Sequence, residues 1–187
     1  MNVVELHNRT VSQFADLVGL VRPDQWSAET PCADWDVREL VNHVVGEERW
    51  TVPLMQGRTI AEVGSTLDGD LLGDDPGGTA AVAARDATDA AGWSVDRVHL
   101  SYGDEDPAEY LRQLAADHLI HGWDLAVAIG AEPRLDADLV SEVAAWFAER
   151  EELYRSIGAI GPRVEGFSGP ADRLLAAFGR DPGWGAA

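Results

Sequence analysis

Apolar residues recur at helical spacing through most of this chain. Val4, Phe14, Leu17, Val18 and Val21 mark one face of a first helix over residues 3–20. Pro23-Asp24-Gln25-Trp26 begins a connector, and Thr30-Pro31-Cys32-Ala33-Asp34-Trp35 is too rich in turn formers to be helical. Asp36 then reads as an N-cap with Glu39 reaching back to it, and Val37, Leu40, Val41, Val44 and Val45 form the buried stripe of a second helix. Residues 64–78, with their clustered Gly and Asp, read as a loop. Ala80 to Ala91 reads as an Ala-rich helix, and Val95 to Tyr102 as a short strand or extended segment. Pro107 opens a long helix that runs to Gly130. Asp138 to Tyr154 carries Leu139, Val140, Val143, Trp146, Phe147 and Leu153 at helical spacing, and a short tail helix covers about 171–178 before Gly179. The pattern predicts an all-α protein with a minor extended segment: a four-helix bundle with long crossover connections, in one domain spanning 1–187.

Composition narrows the functional classes. Acidic residues outnumber basic ones 33 to 14, for a formal charge of -19. Nucleic acid and anionic membrane are bound through Lys and Arg, so neither is an expected partner. Cys32 is the single cysteine, which excludes an intrachain disulfide and Cys-rich zinc modules. The N-terminal residues lack the basic start and apolar run of a signal peptide, and no segment approaches the roughly 20 apolar residues of a membrane span. A cytoplasmic location is expected. Walker, dinucleotide-binding and Gly-x-Ser-x-Gly motifs are absent from the sequence.

The candidate chemistry lies in two helices. Asp117 and His121 are four residues apart and stack on one face of the long helix, while His43 adjoins the apolar stripe of the second. Three of the chain's five histidines fall in these two segments. Two imidazoles and a carboxylate with one position left open describe a catalytic rather than a structural metal site. The alternatives are a solvated Asp117 and a buried, hydrogen-bonded His121. His118 competes with Asp117, because it too shares a face with His121, but it lies about 100° from Asp117 around the helix. Glu47 is a candidate fourth ligand or general base, and Asp124 a candidate orienter of a ligand histidine. Cys32 reads as a small packed residue rather than a nucleophile, and His7 and His99 as structural or surface positions.

Thr30-Pro31-Cys32-Ala33-Asp34-Trp35-Asp36-Val37-Arg38-Glu39-Leu40-Val41-Asn42-His43, His121-Gly122-Trp123-Asp124-Leu125-Ala126, Gly161-Pro162 and the tail from Asp172 to Pro182 together resemble the mycothiol-dependent maleylpyruvate isomerase-like, metal-binding branch of the DinB superfamily, common in actinobacteria. The resemblance implies a four-helix bundle with a divalent metal, zinc ahead of nickel or another ion, held by a histidine of the second helix and a carboxylate-x3-histidine pair on the third. These positions correspond to His43, Asp117 and His121. Where the isomerase has Glu this chain has Asp117, one methylene shorter, which leaves the metal's identity open. The isomerase also has a further C-terminal domain, whereas the stretch after Gly130 reads as a bundle helix plus a subgroup tail, so maleylpyruvate isomerisation itself is not expected. What the resemblance implies is a thiol-dependent transferase or isomerase, with mycothiol as thiol cosubstrate and a small electrophile as partner. The rival is a non-catalytic metal-binding or scaffold protein of the same fold. An open cleft beside the three residues favours the enzyme. The general acid or base is unassigned, and a homodimer stays open.

Overall fold

The computed structural model describes residues 1–185. In chain order its elements are α1 (Val3–Val18), α2 (Val37–Met55), the single turn α3 (Ile60–Val63), α4 (Pro76–Ala90), an antiparallel hairpin of β1 (Val98–Leu100) and β2 (Gly103–Glu105), α5 (Pro107–Ile129), α6 (Ala137–Phe147), α7 (Glu151–Ser156) and α8 (Pro170–Ala177). The expected all-α class with a small extended part is the observed one. The four bundle helices are α1, α2, α4 and α5, with α1 and α2 each packed against both α4 and α5. The Asp117–His121 pair therefore sits on the last of the four rather than the third, because the Ala-rich helix is itself a bundle member.

Local chemistry explains most of the boundaries. The Asp36 carboxylate accepts from the Glu39 amide at 2.9 Å and the Glu39 carboxylate accepts from the Asp36 amide at 3.0 Å, so two orphan donors at the start of α2 are satisfied reciprocally. Helix α5 begins at Pro107 behind the capping Asp106 and ends at Gly130, which adopts the left-handed conformation (φ 71°). Its apolar surface is unusually broad because both sides are covered. Phe14, Leu40, Val44 and Leu125 belong to the core among the bundle helices, while Leu119, Trp123, Phe147 and Leu175 belong to a second core where α6 lies on α5 and α8 on α6.

Two expectations need correction, and a third, the extended segment, holds but gains a partner. The Ala-rich helix starts at Pro76, inside the stretch read as loop: Asp75 caps it by accepting from the Gly78 amide at 3.0 Å. A Cβ at Gly78 would collide with that carboxylate, so the glycine marks the cap rather than a loop. The helix expected over Asp138–Tyr154 is two helices, α6 and α7. Arg150 ends the first by donating to the Trp146 carbonyl at 2.8 Å while its Nε and Nη2 bind Glu109 of α5. Tyr154 is thereby folded back edge-on against Trp146 and Phe147. The extended segment is the first strand of a hairpin whose second strand, Gly103–Glu105, has no apolar alternation to announce it. No helix among the described residues is long and apolar enough to cross a membrane.

Candidate metal centre

His43 of α2 and Asp117 and His121 of α5 converge. His43 Nε2 lies 3.5 Å and His121 Nε2 3.4 Å from Asp117 Oδ1, and the two imidazole rings meet edge to face with centroids 5.1 Å apart. Two ligand atoms each about 2.1 Å from a tetrahedral ion are themselves about 3.4 Å apart, so these separations suit a shared divalent cation. One donor atom from each of the three lies within 4.8 Å of the others. Asp117 Oδ2 is buried without a hydrogen-bond partner, an orphaned acceptor of the kind a cation would satisfy. Burial opposes the charge on Asp117, but His121 and His43 outweigh it and hold the carboxyl well below the ordinary carboxylate value. Burial likewise opposes a proton on His121. Asp117 and Asp124 prevail, and its pKa is raised well above the ordinary histidine value.

The other nitrogen of His121 is fixed from behind. Nδ1 lies 3.0 Å from Asp124 Oδ2, three residues on and fully buried. Asp124 in turn accepts from Arg180 Nε at 2.9 Å and Nη2 at 2.8 Å. Burial pushes the Asp124 carboxyl up, and His121 and Arg180 more than reverse this. A carboxylate on Nδ1 selects the tautomer and ring orientation that present Nε2 to the cluster. The role envisaged for Asp124 from its position in sequence thus has its geometry in place.

The turn before α2 supplies the rest of the surround. Thr30 Oγ1 accepts from the Cys32 amide and donates to the Trp35 carbonyl at 2.8 Å, and the Trp35 amide closes onto Cys32 O. This holds Trp35 over the His43 ring at 4.6 Å between centroids. It also sets Cys32 Sγ 2.9 Å from Arg180 Nη2, 3.4 Å from Asp124 Oδ2 and 3.9 Å from His121 Nδ1. Cys32, His121 and Asp124 form a second group of potential donors, in which the Arg180 guanidinium supplies the positive charge.

An open cavity of about 550 Å³ adjoins the three converging residues. Glu47 lines it one helical turn beyond His43 but is not among the clustered donors, and burial, reinforced by Asp117, raises its pKa. His118 faces the opposite way. It is fully buried, with Nδ1 2.6 Å from the Leu114 carbonyl and Nε2 3.3 Å from Glu48 Oε1, beside Phe14 and His7. His7 is also fully buried, and His99 pairs with Asp104 on the hairpin. Trp35 and Arg180 were not among the residues singled out from sequence. Arg180 lies in the tail segment that carries the family resemblance, but 56 residues separate it from Asp124 and no local spacing connects them.

A helical bundle that aims two imidazoles and a carboxylate from α2 and α5 at one point defines a protein with a candidate divalent-metal centre. The chain matches the family described as mycothiol maleylpyruvate isomerase N-terminal domain over residues 8–126, and it belongs to that family. Two uncharacterized proteins of Mycobacterium tuberculosis, Rv0738 of strain H37Rv and MT0763 of strain CDC 1551, are each 28% identical to it, over 96% of this chain and 98% of their own length. No solved structure matches it.

Proposed function

We propose that the protein is a cytoplasmic, single-domain enzyme that transfers or uses a low-molecular-weight thiol, mycothiol, at a divalent metal held by His43, Asp117 and His121, and that it acts on a small electrophile. One observation carries the reading: three donors, from two helices, converge on the wall of an open cavity, and no further donor completes the group among the described residues. A structural site would be closed. A divalent ion bound there supplies Lewis acidity that lowers the pKa of a coordinated thiol or water. Zinc suits the donor set best and nickel is the next choice.

The chain's own residues bind and orient. Asp124, clamped by Arg180, fixes the His121 ring so that Nε2 faces the cavity. Trp35 covers the His43 ring and limits its rotation. Asp117 is the anionic donor that offsets part of a cation's charge. Glu47 lies at the cavity wall where it can exchange a proton with a bound molecule.

Metal analysis of protein purified without a metal-affinity column tests the first half of this reading. Near-stoichiometric zinc or nickel in the wild type and its loss in His121→Ala are expected. A screen of metal-loaded protein with mycothiol and a panel of electrophiles tests the second half. Metal retention with no turnover of any electrophile would move the assignment to the metal-binding scaffold.

A further inference from the structure

We infer that the cavity beside the three donors admits an uncharged electrophile with a flat apolar face, an aromatic or conjugated carbonyl compound, and turns away dicarboxylates. This rests on the proposed function for where the chemistry happens, but it is argued from different atoms.

Beyond the donors the lining includes the rings of Tyr110, Trp146 and Phe178 and the side chains of Ile120 and Ile160, with Trp35 beside His43. A volume of about 550 Å³ suits a small organic molecule. Charge decides the class. Apart from the two histidines, the lining offers one basic side chain, Arg180. Its Nε and Nη2 are spent on Asp124, Nη2 also meets Cys32 Sγ, and Nη1 donates to the Phe178 carbonyl at 3.3 Å. The charge of Arg180 is already paired with the buried Asp124 carboxylate, so a carboxylate entering the cavity would have to compete for it.

The same wall carries Asp34, Glu47 and Asp117. A divalent ion on the donors would be offset by Asp117 and by any thiolate that joined it, leaving no surplus positive charge for a dianion. Glu47 adds none in either protonation state. An anion entering here would give up its hydration without a paired cation, which is the costly case. A neutral carbonyl needs only a hydrogen bond, and Gln113 and Tyr154 line the same cavity to provide one.

The test is calorimetric titration of the full-length, chelator-treated protein, in which no open metal position can take a carboxylate. The probes are methyl cinnamate, cinnamate and maleate; the first two share a flat skeleton and differ in charge. The ester should bind about tenfold tighter than cinnamate, and maleate should give no measurable heat. Ile160 lies between helices, so Ile160→Arg adds a cation to the wall without breaking a helix, and it should close most of the gap between cinnamate and ester. Cinnamate or maleate binding as tightly as the ester overturns the inference, as does an ester that fails to bind. A preference unmoved by Ile160→Arg puts the selection outside this cavity and overturns it as well. Zinc uptake is measured on the same samples. Its failure sinks the metal reading yet leaves the ester preference of chelated protein to stand or fall alone.

Discussion

Arg180 reaches from the segment after α8 to Asp124 of α5, and its guanidinium grips both oxygens of that buried carboxylate at 2.8–3.1 Å. The contact ties the end of the chain to the histidine that Asp124 orients. Arg180→Gln leaves Asp124 with His121 as its one charged partner, and should cost about 3 kcal/mol of stability, near the low end for breaking a buried pair. Zinc affinity should fall about 10- to 100-fold, the usual effect of disturbing a ligand's support. Arg180→Lys, which keeps the charge but not the fork, should recover part of the stability and less of the affinity. Urea melts and competition with a chromophoric chelator read the two quantities separately. An unchanged zinc affinity in a folded Arg180→Gln protein would sever the tail from the site.

His121→Ala and Cys32→Ser separate two roles for the same corner of the cavity. His121→Ala leaves His43 and Asp117 as an inadequate pair, so metal occupancy and thiol transfer should both collapse while helical circular dichroism persists. Cys32→Ser should leave transfer nearly intact, because the attacking sulfur belongs to the cosubstrate. The reverse pattern, with activity lost in Cys32→Ser and kept in His121→Ala, would make the chain's own thiol the nucleophile.

Chelation should lower the melting temperature and leave a cooperative transition, since the cores around Phe14, Leu40, Leu125, Phe147 and Leu175 are built of apolar side chains and include none of the three donors. At free zinc about 100 times Kd the ion adds about 2.7 kcal/mol, which for a chain of this size is about 5–10 °C. Differential scanning calorimetry with and without a chelator measures it. Loss of all helicity on chelation would contradict an independently folded bundle.

The pH dependence has a definite sign. The folded pKa of His121 is raised, so its contribution to the metal-free protein is full below the unfolded value near 6.5 and is lost as pH rises through the folded one. Asp117 is depressed, so its contribution is present above the unfolded value near 3.9 and is lost as pH falls through the folded one. Both operate between about pH 4 and 6.5. Metal-free protein should therefore show its largest stability advantage over Asp117→Asn in that window. A metal must displace the His121 proton, so zinc affinity should fall as pH drops below the raised value, with proton release. Titrations in buffers of different ionisation enthalpy detect that release, and its absence near pH 7 would show that His121 is already neutral.

On the opposite side of α5, Glu48 and His118 form a fully buried pair. Burial pushes the Glu48 carboxyl up and works against a proton on His118, whose pKa the carboxylate nevertheless raises. Glu48→Leu alone should destabilise by about 3–5 kcal/mol, whereas the double change with His118→Leu should come close to wild type or exceed it. Zinc affinity should be unmoved in the double variant. A loss of zinc there would put His118 back among the ligands.

The parts of the molecule readable in the chain are those whose partners are close in sequence. The Asp36–Glu39 capping box, the Gly130 stop and the shared face of Asp117 and His121 follow from spacings of a few residues. The break after Phe147 was not readable, because Glu109 on another helix recruits Arg150 to the helix end and no Gly or Pro marks it. Arg180 was hidden for a related reason, since it reaches Asp124 only after the chain has folded back on itself, and Trp35 because it is aimed at His43 by the Thr30–Trp35 turn rather than by a helical spacing. Gly78 misled as a loop former, since its lack of a side chain serves the Asp75 cap.

The donors come from α2 and α5, whereas Ile160 and Phe178 of the cavity wall come from chain beyond α6, outside the stretch that matches the family. The border of the cavity and its donors can therefore be altered separately. A substitution at Ile160 should change which molecule the cavity admits and leave zinc affinity at His43, Asp117 and His121 where it was. The chain thus offers a handle on selectivity that sits apart from its reactive atoms.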